Sequence, residues 1–276
     1  MIDPNIKFVA LIGDPVVHSA SPAMQNAAFQ KLGLPYVYLS FQVPPTALVE
    51  AITVVRGLGF RGANVTIPHK TSVLPLLDNI APYAQRIGAV NTIVNDNGKL
   101  TGFNTDAPGF LAALRASGFD PKGEKAVVVG AGGAARAIVF TLRDAGAIVS
   151  IFNRSPGAAQ ILADEAGVTA LEMNRSGWRS AFAGASLVIN ATSVGMSPDN
   201  DSTPLPVRLL RSGLVVFDTV YRPRQTKLLK EAKAAGCTTI GGLEMLVEQG
   251  ALAFELWTGE KAPRKVMHQA AAEALG

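Results

Sequence analysis

Residues 126–136 read AVVVGAGGAAR, and the next apolar run, IVSIF at 148–152, ends in Asn153-Arg154-Ser155. An apolar run of strand length that breaks into Gly130-Ala131-Gly132-Gly133-Ala134-Ala135 and continues into helix-forming residues predicts a strand, a tight turn and a helix. Glycines in such a turn let backbone N–H groups approach a pyrophosphate, and the helix N-terminus behind them favours negative charge. The turn therefore predicts a dinucleotide site built on Gly130, Ala131, Gly132, Gly133 and Ala134. At the end of the second strand of such a unit, an acidic side chain would hold a ribose 2′-hydroxyl and repel a 2′-phosphate. This chain carries Arg154 there, so the expected cofactor is NADP.

The rest of the sequence limits what can surround that unit. A length of 276 residues allows a large core divided between two domains. With 48% hydrophobic and 17% charged residues the composition is that of a soluble globular enzyme and excludes a disordered chain. The net charge of +4 comes from scattered lysines and arginines without a dense basic run interleaved with aromatics, which argues against a nucleic-acid partner. Cys237 is the single cysteine and cannot form an internal disulfide, which fits a reducing compartment. No apolar stretch reaches the ~18 residues of a membrane span. The opening residues lack the pattern of a secretory signal, and a cytoplasmic location without membrane contact is expected.

Strand-length apolar runs alternate with helical patterns throughout, which predicts an α/β fold with mainly parallel sheets. Strands are expected at 7–12, 36–43 and 62–67, with helices at 22–32 and 46–58 between them. Ser21 is the expected N-cap of the first helix, followed by Pro22 at its first position and by Gly33 past its end. Asp96-Asn97-Gly98 between runs at 93–95 and 99–102 suits a tight hairpin. Further strands are expected at 126–129, 148–152, 187–190, 214–218 and 238–240, then helices at 243–257 and 263–274. The change of pattern near 104–106 divides the chain into residues 1–105, completed by 242–276, and a nucleotide-binding unit at 106–241.

A nicotinamide enzyme must also handle the proton that accompanies hydride. His18, His69 and His268 are dispersed, so no zinc-ligand set is expected, and none of the four tyrosines is followed four positions later by lysine. Lys70, in Gly62-Ala63-Asn64-Val65-Thr66-Ile67-Pro68-His69-Lys70, stands just past a strand, where parallel sheets bind ligands. Asp106, in Asn104-Thr105-Asp106, reads either as a helix N-cap or as a functional carboxylate that orients the Lys70 ammonium. Ser19 and Ser21 place two hydroxyls at a helix N-terminus, a seat suited to a carboxylate.

In order along nearly the whole chain, the motifs resemble the shikimate dehydrogenase family. They are Ser19-Ala20-Ser21-Pro22, Asn64 to Lys70, Gly88-Ala89-Val90-Asn91-Thr92, Asn104-Thr105-Asp106, the Gly130 turn, Asn153-Arg154-Ser155, Asn190-Ala191-Thr192-Ser193-Val194-Gly195, Asp218-Thr219-Val220-Tyr221 and the stretch 242–249. The resemblance implies an N-terminal α/β substrate domain and a Rossmann-like NADP-binding domain, with the active site in the cleft between them. It implies that Ser19 and Ser21 bind the shikimate carboxylate near Tyr221, and that Thr66, Asn91 and Gln249 hold ring hydroxyls. Lys70 and Asp106 become the catalytic pair. Asn153, Arg154 and Ser155 surround the 2′-phosphate, while Thr192, Val220, Gly242 and Met245 lie along the cofactor. The implied activity is reversible NADP-dependent reduction of 3-dehydroshikimate to shikimate, in aromatic amino acid and chorismate biosynthesis, by a monomer or homodimer.

Two departures bear on specificity. Ala158 stands where many NADP-specific members carry a second basic residue, which implies a moderate NADP preference. Gln25 stands where biosynthetic members usually carry histidine, a feature of the quinate/shikimate branch, whereas the Ser19-x-Ser21 pair resembles shikimate users. The alternative readings are a quinate/shikimate dehydrogenase using NAD or NADP, and a non-catalytic NADP-binding sensor on the same fold.

Overall fold

The computed structural model describes residues 5–276. The chain forms two compact units: the first runs through Gly109 and takes back Val247–Ala274, and the second comprises Phe110–Leu246.

The first unit contains β1 (Lys7–Gly13), α1 (Ser21–Lys31), β2 (Tyr36–Gln42), α2 (Leu48–Gly57), β3 (Gly62–Val65), β4 (Asn79–Ile80), α3 (Pro82–Ile87), β5 (Thr92–Asp96) and β6 (Lys99–Phe103), and α4 (Asp106–Ala116) begins in it. Its six-stranded sheet has the order β2-β1-β3-β5-β6-β4. β1 runs parallel to β2 and β3, whereas β5 is antiparallel to β3 and β6. Alternate residues Ala10 and Ile12 of β1, and Ala63 and Val65 of β3, join Leu48, Ile52 and Val55 of α2 in one buried cluster. The period of two on the strands meets the i, i+4, i+7 stripe of the helix. Ile52 is buried there, and truncating it to alanine costs about 2–5 kcal/mol. The hairpin between β5 and β6 turns on Asn97 (φ 53°) and Gly98 (φ 86°), the paired positive φ values of a type I′ turn.

Local chemistry corrects two expectations. Ser21 is not the N-cap of α1; it is the first helical residue, Ala20 holds the cap position, and the Ser19 hydroxyl accepts the Ser21 N–H at 3.2 Å. Pro22 then supplies no N–H at a position where a helix leaves one unpaired in any case. β3 also ends at Val65, two residues short of the expected run, because the Thr66 carbonyl accepts the His69 N–H (2.9 Å) and the chain turns.

The second unit contains β7 (Lys125–Val129), α5 (Gly133–Asp144), β8 (Ile148–Phe152), α6 (Pro156–Ala166), β9 (Thr169–Ala170), α7 (Arg175–Phe182), β10 (Leu187–Asn190), β11 (Val215–Asp218), α8 (Lys227–Ala234) and β12 (Thr238–Ile240). Every strand pair is parallel, in the order β12-β11-β10-β7-β8-β9. Numbered from β7, this is the 3-2-1-4-5-6 order of the Rossmann fold, whose switch point lies between β7 and β10. On one side of the sheet the Phe152 and Trp178 rings stack at 3.9 Å within a core that includes Val127, Val188 and Val216. The chain passes into the first unit again within α9 (Gly242–Thr258) and continues with α10 (Arg264–Leu275). There Phe29 of α1 stacks on Phe254 of α9 at 5.1 Å, and the Trp257 indole donates to the Ile93 carbonyl at 2.9 Å. Among the described residues no helix is long and apolar enough to cross a membrane.

Candidate active site

In the first unit, the Lys70 ammonium donates to Asp106 Oδ2 at 2.5 Å across 36 residues of sequence. Both side chains are largely buried, 13% exposed for Lys70 and 6% for Asp106. Backbone bonds hold Lys70 from either side: Thr66 N–H donates to the Ile12 carbonyl (2.9 Å), and the Lys70 carbonyl accepts the Val90 N–H (2.8 Å). His69, fully buried, places its Nε2 at 2.6 Å from the Val43 carbonyl and anchors the turn from below.

Of the two readings of Asp106, the structure removes the N-cap. Asp106 occupies the first position of α4, and the Asn104 Oδ1 accepts the Ala107 N–H at 3.0 Å, the bond that caps the helix. Relieved of capping, Asp106 turns both oxygens to side chains: Oδ2 to Lys70, and Oδ1 to the Asn91 amide at 3.0 Å.

Asn91 is the centre of the polar cluster. Its Nδ2 also lies 2.9 Å from Thr105 Oγ1 and 3.2 Å from Gln249 Oε1, and its Oδ1 accepts the Thr105 N–H at 2.7 Å. Behind it, the Asn64 amide donates to the Asn91 carbonyl (3.0 Å), and the Tyr38 hydroxyl donates to Asn64 Oδ1 (2.7 Å). A fully paired buried network of this kind fixes rotamers, because any member that swings away leaves a polar group unsatisfied. Sequence reasoning passed over Asn64, Asn104 and Tyr38 as site residues. The signal for them is a polar or hydroxyl-bearing side chain inside or beside a buried strand.

The structure thus brings Lys70, Asp106, Asn91 and Gln249 together within one unit. Thr66 is half-buried at the turn before Lys70, and half-buried Ser19 and buried Ser21 lie at the N-terminus of α1. Tyr221 belongs to the second unit and is half-buried there.

The residues expected to hold the cofactor follow the C-terminal ends of β7, β8, β10, β11 and β12. Gly130 has φ +128°, and a Cβ on it would come within 2.7 Å of the Ala191 carbonyl oxygen, so only glycine fits. Its N–H donates to the Phe152 carbonyl at 2.7 Å, which sets the glycine turn beside the Asn153-Arg154-Ser155 segment. Arg154 is exposed and makes no ion pair among the described residues, and the Ser155 hydroxyl forms no capping bond although Ser155 is the N-cap of α6. Asn153 donates from its amide to the Ser155 carbonyl at 3.1 Å. Unpaired first-turn N–H groups at α5, with Ala131 to Ala134 around them, and a free guanidinium one strand away form a donor set that fits a dinucleotide with a 2′-phosphate.

Thr192 is tied internally, donating to Asn190 Oδ1 at 2.7 Å and accepting the Val194 N–H at 3.1 Å. Val220, Gly242 and Met245 are buried. Between these loops sits a carboxylate that sequence reading did not single out. Asp218 accepts from Asn190 Nδ2 (2.9 Å), the Val220 N–H (3.0 Å) and the Thr226 hydroxyl (2.6 Å). Burial pushes its pKa up to about 6 despite these three donors, which act in the opposite direction.

Two units, one with a buried lysine–carboxylate pair and one with a Rossmann cofactor turn, invite comparison with known proteins. Residues 11–93 match the shikimate dehydrogenase substrate binding domain, and residues 242–272 match the shikimate 5′-dehydrogenase C-terminal domain. A shikimate dehydrogenase (NADP(+)) of Moorella thermoacetica is 50% identical, over 98% of this chain and 94% of that protein. One of Methanopyrus kandleri is also 50% identical, over 99% of this chain and 98% of its own. The crystal structure of shikimate 5-dehydrogenase from Thermus thermophilus, in complex with NADP(H) and shikimate, has a TM-score of 0.89 at 47% identity, covering 98% of this chain and 100% of that one. Agreement in both sequence and fold over nearly the full length is conclusive: the chain belongs to the shikimate dehydrogenase family.

Proposed function

We propose that this protein is an NADP-dependent shikimate dehydrogenase that interconverts 3-dehydroshikimate and shikimate. The observation that carries this reading is the buried Lys70–Asp106 pair, braced by Asn91 and through it by Gln249. NADPH, when bound, supplies the hydride to the ring carbonyl carbon. The oxygen that gains the electron pair needs a proton, and Lys70 donates it and is reprotonated from solvent. In the reverse direction the neutral lysine takes the hydroxyl proton as hydride leaves. Asp106 holds the ammonium in one place and offsets its charge, so the proton is delivered from a fixed direction.

Ser19 and Ser21, at the N-terminus of α1, suit the substrate carboxylate. Thr66, Asn91 and Gln249 offer the donors and acceptors that ring hydroxyls require. In the other unit, the α5 N-terminus suits the pyrophosphate and Arg154 the 2′-phosphate, with Thr192, Val220, Gly242 and Met245 towards the nicotinamide. A single thiol and a biosynthetic role agree with a cytoplasmic location.

The test is a matrix of shikimate and quinate against NADP and NAD, following the absorbance of reduced nicotinamide. Turnover of shikimate with NADP, at a higher kcat/KM than any other pairing, is expected. Cofactor binding without an absorbance change would mean a sensor, and a preference for quinate or for NAD would overturn the assignment.

A further inference from the structure

Three helices meet behind Gln249, and they meet through glycines. Gly109, one turn after Asp106 on α4, lies against the α9 backbone: a Cβ there would come 2.7 Å from the Gln249 nitrogen and 2.9 Å from its Cα. Gly250, the next residue of α9, backs onto α1, where a Cβ would meet the Met24 methyl at 2.2 Å. From the same side the Gln25 amide donates to the Gly250 carbonyl at 2.9 Å.

Gln25 is fully buried, and its Oε1 receives no hydrogen bond from the described residues. A methionine would fill that space without burying an amide, so what the glutamine contributes is its bond to Gly250. We propose that Gly109 of α4 and Gln25 of α1 are positioning residues that together clamp the Gln249–Gly250 step of α9. The clamp keeps Gln249 Oε1 on the Asn91 amide, which in turn holds Asp106. Neither residue touches the reacting atoms; both act through Gln249. The proposal rests on the shikimate dehydrogenase reading for its kinetic consequence, and on geometry alone for its structural one.

The experiment uses Gly109→Ala, Gln25→Met and Gly250→Ala in the full-length protein, each also combined with Gln249→Ala. Gly109→Ala meets backbone atoms and should lower kcat/KM for shikimate by about tenfold or more, since displacements of this scale can cost up to ~100-fold. Gln25→Met should lower it several-fold while the melting temperature stays level or rises, a split that a purely structural role would not produce. Gly250→Ala meets the buried Met24 methyl and, at 3.3 Å, the Gln25 amide nitrogen itself, so it should loosen the Gln25 bond and lower kcat/KM as Gln25→Met does. In the Gln249→Ala background the first two substitutions should each cost less than about twofold more, because residues acting through one group are not additive.

A full loss repeated in the Gln249→Ala background would overturn the proposal, as would a melting temperature that falls in step with activity in Gln25→Met. The Asn91 side-chain amide resonance reads the clamp without any turnover. It should move in Gln25→Met as it does in Gln249→Ala, even if Gly109→Ala fails to fold or shikimate proves not to be the substrate. An unmoved resonance would refute the clamp; absent turnover in wild type with a moved resonance would refute the functional reading alone.

Discussion

Replacing Lys70 by methionine removes the ammonium and retains most of the buried stem, so the loss isolates the charge. The 2.5 Å contact to Asp106 is a charge-assisted hydrogen bond between two groups that are 13% and 6% exposed. Bonds to charged groups contribute about 1.5–3 kcal/mol, and that much stability should be lost because, among the described residues, Asp106 then keeps only its bond from Asn91. The kinetic loss should be larger. A positioned general acid or base contributes about 10²–10⁴-fold, and no other ammonium among the described residues is hydrogen-bonded to Asp106. With saturating NADP, kcat for shikimate oxidation should therefore fall by at least ~100-fold, which corresponds to about 2.7 kcal/mol of barrier. KM should change only a few-fold, since Ser19, Ser21, Thr66 and Gln249, the residues proposed to hold the substrate, are untouched. Initial rates give the first quantity and urea unfolding the second. Adding Asp106→Leu should cost little more activity, because the pair acts as one unit. If Lys70→Met retained a tenth or more of the wild-type kcat, the proton would have to come from elsewhere and the mechanism would be wrong.

Three further outcomes are expected. Arg154→Ala should raise the KM for NADP by about 10–150-fold, the equivalent of 1.5–3 kcal/mol, and leave NAD kinetics nearly unchanged; parallel losses would contradict the 2′-phosphate assignment. Conversely, Ala158→Arg places a second cation on the exposed first turn of α6 and should lower the NADP KM a few-fold, an effect that salt should erase. Asp218 should titrate with a midpoint near 6 in carboxyl-carbon NMR. The folded form binds its proton more tightly than the unfolded chain, so this group's stabilising contribution is complete below pH 3.8, declines as pH rises towards about 6 and is constant above that. The span corresponds to about 3 kcal/mol, read as the changing difference in unfolding free energy between wild type and Asp218→Asn; a midpoint below about 4.5 would refute it.

The parts legible in the sequence are those that local physics controls. The run at 148–152 became β8 with the expected bounds, and Asn97-Gly98 formed the hairpin because both residues tolerate positive φ. The glycine turn was legible because a strand-length apolar run precedes it, a helical pattern follows it, and Arg154 stands at the end of the next apolar run. Reading stopped short where two local accounts were equally good. Ser21 looked like a cap, and Asp106 like either a cap or a functional carboxylate; Ser19 and Asn104 accept the N–H groups at those helix starts, and the difference lies in side-chain directions that spacing does not encode. Two-residue strands such as β4 and β9 carry no periodicity at all.

The alternation of strands and helices, the dinucleotide turn, the cation that follows it and the family are all written in the order of residues. Each depends on neighbours within a few positions or on motifs in succession. Folding in three dimensions was needed to establish that Lys70, Asn91, Asp106 and Gln249 share one hydrogen-bonded cluster, that the second sheet reverses between β7 and β10, and that Asp218 is buried among three donors. The cluster and the strand order depend on contacts between residues far apart in the chain, and Asp218 owes its most distant donor, Asn190, to the pairing of β10 with β11. Whether a carboxylate caps a helix or meets an ammonium is settled by the packing that brings its partner within reach.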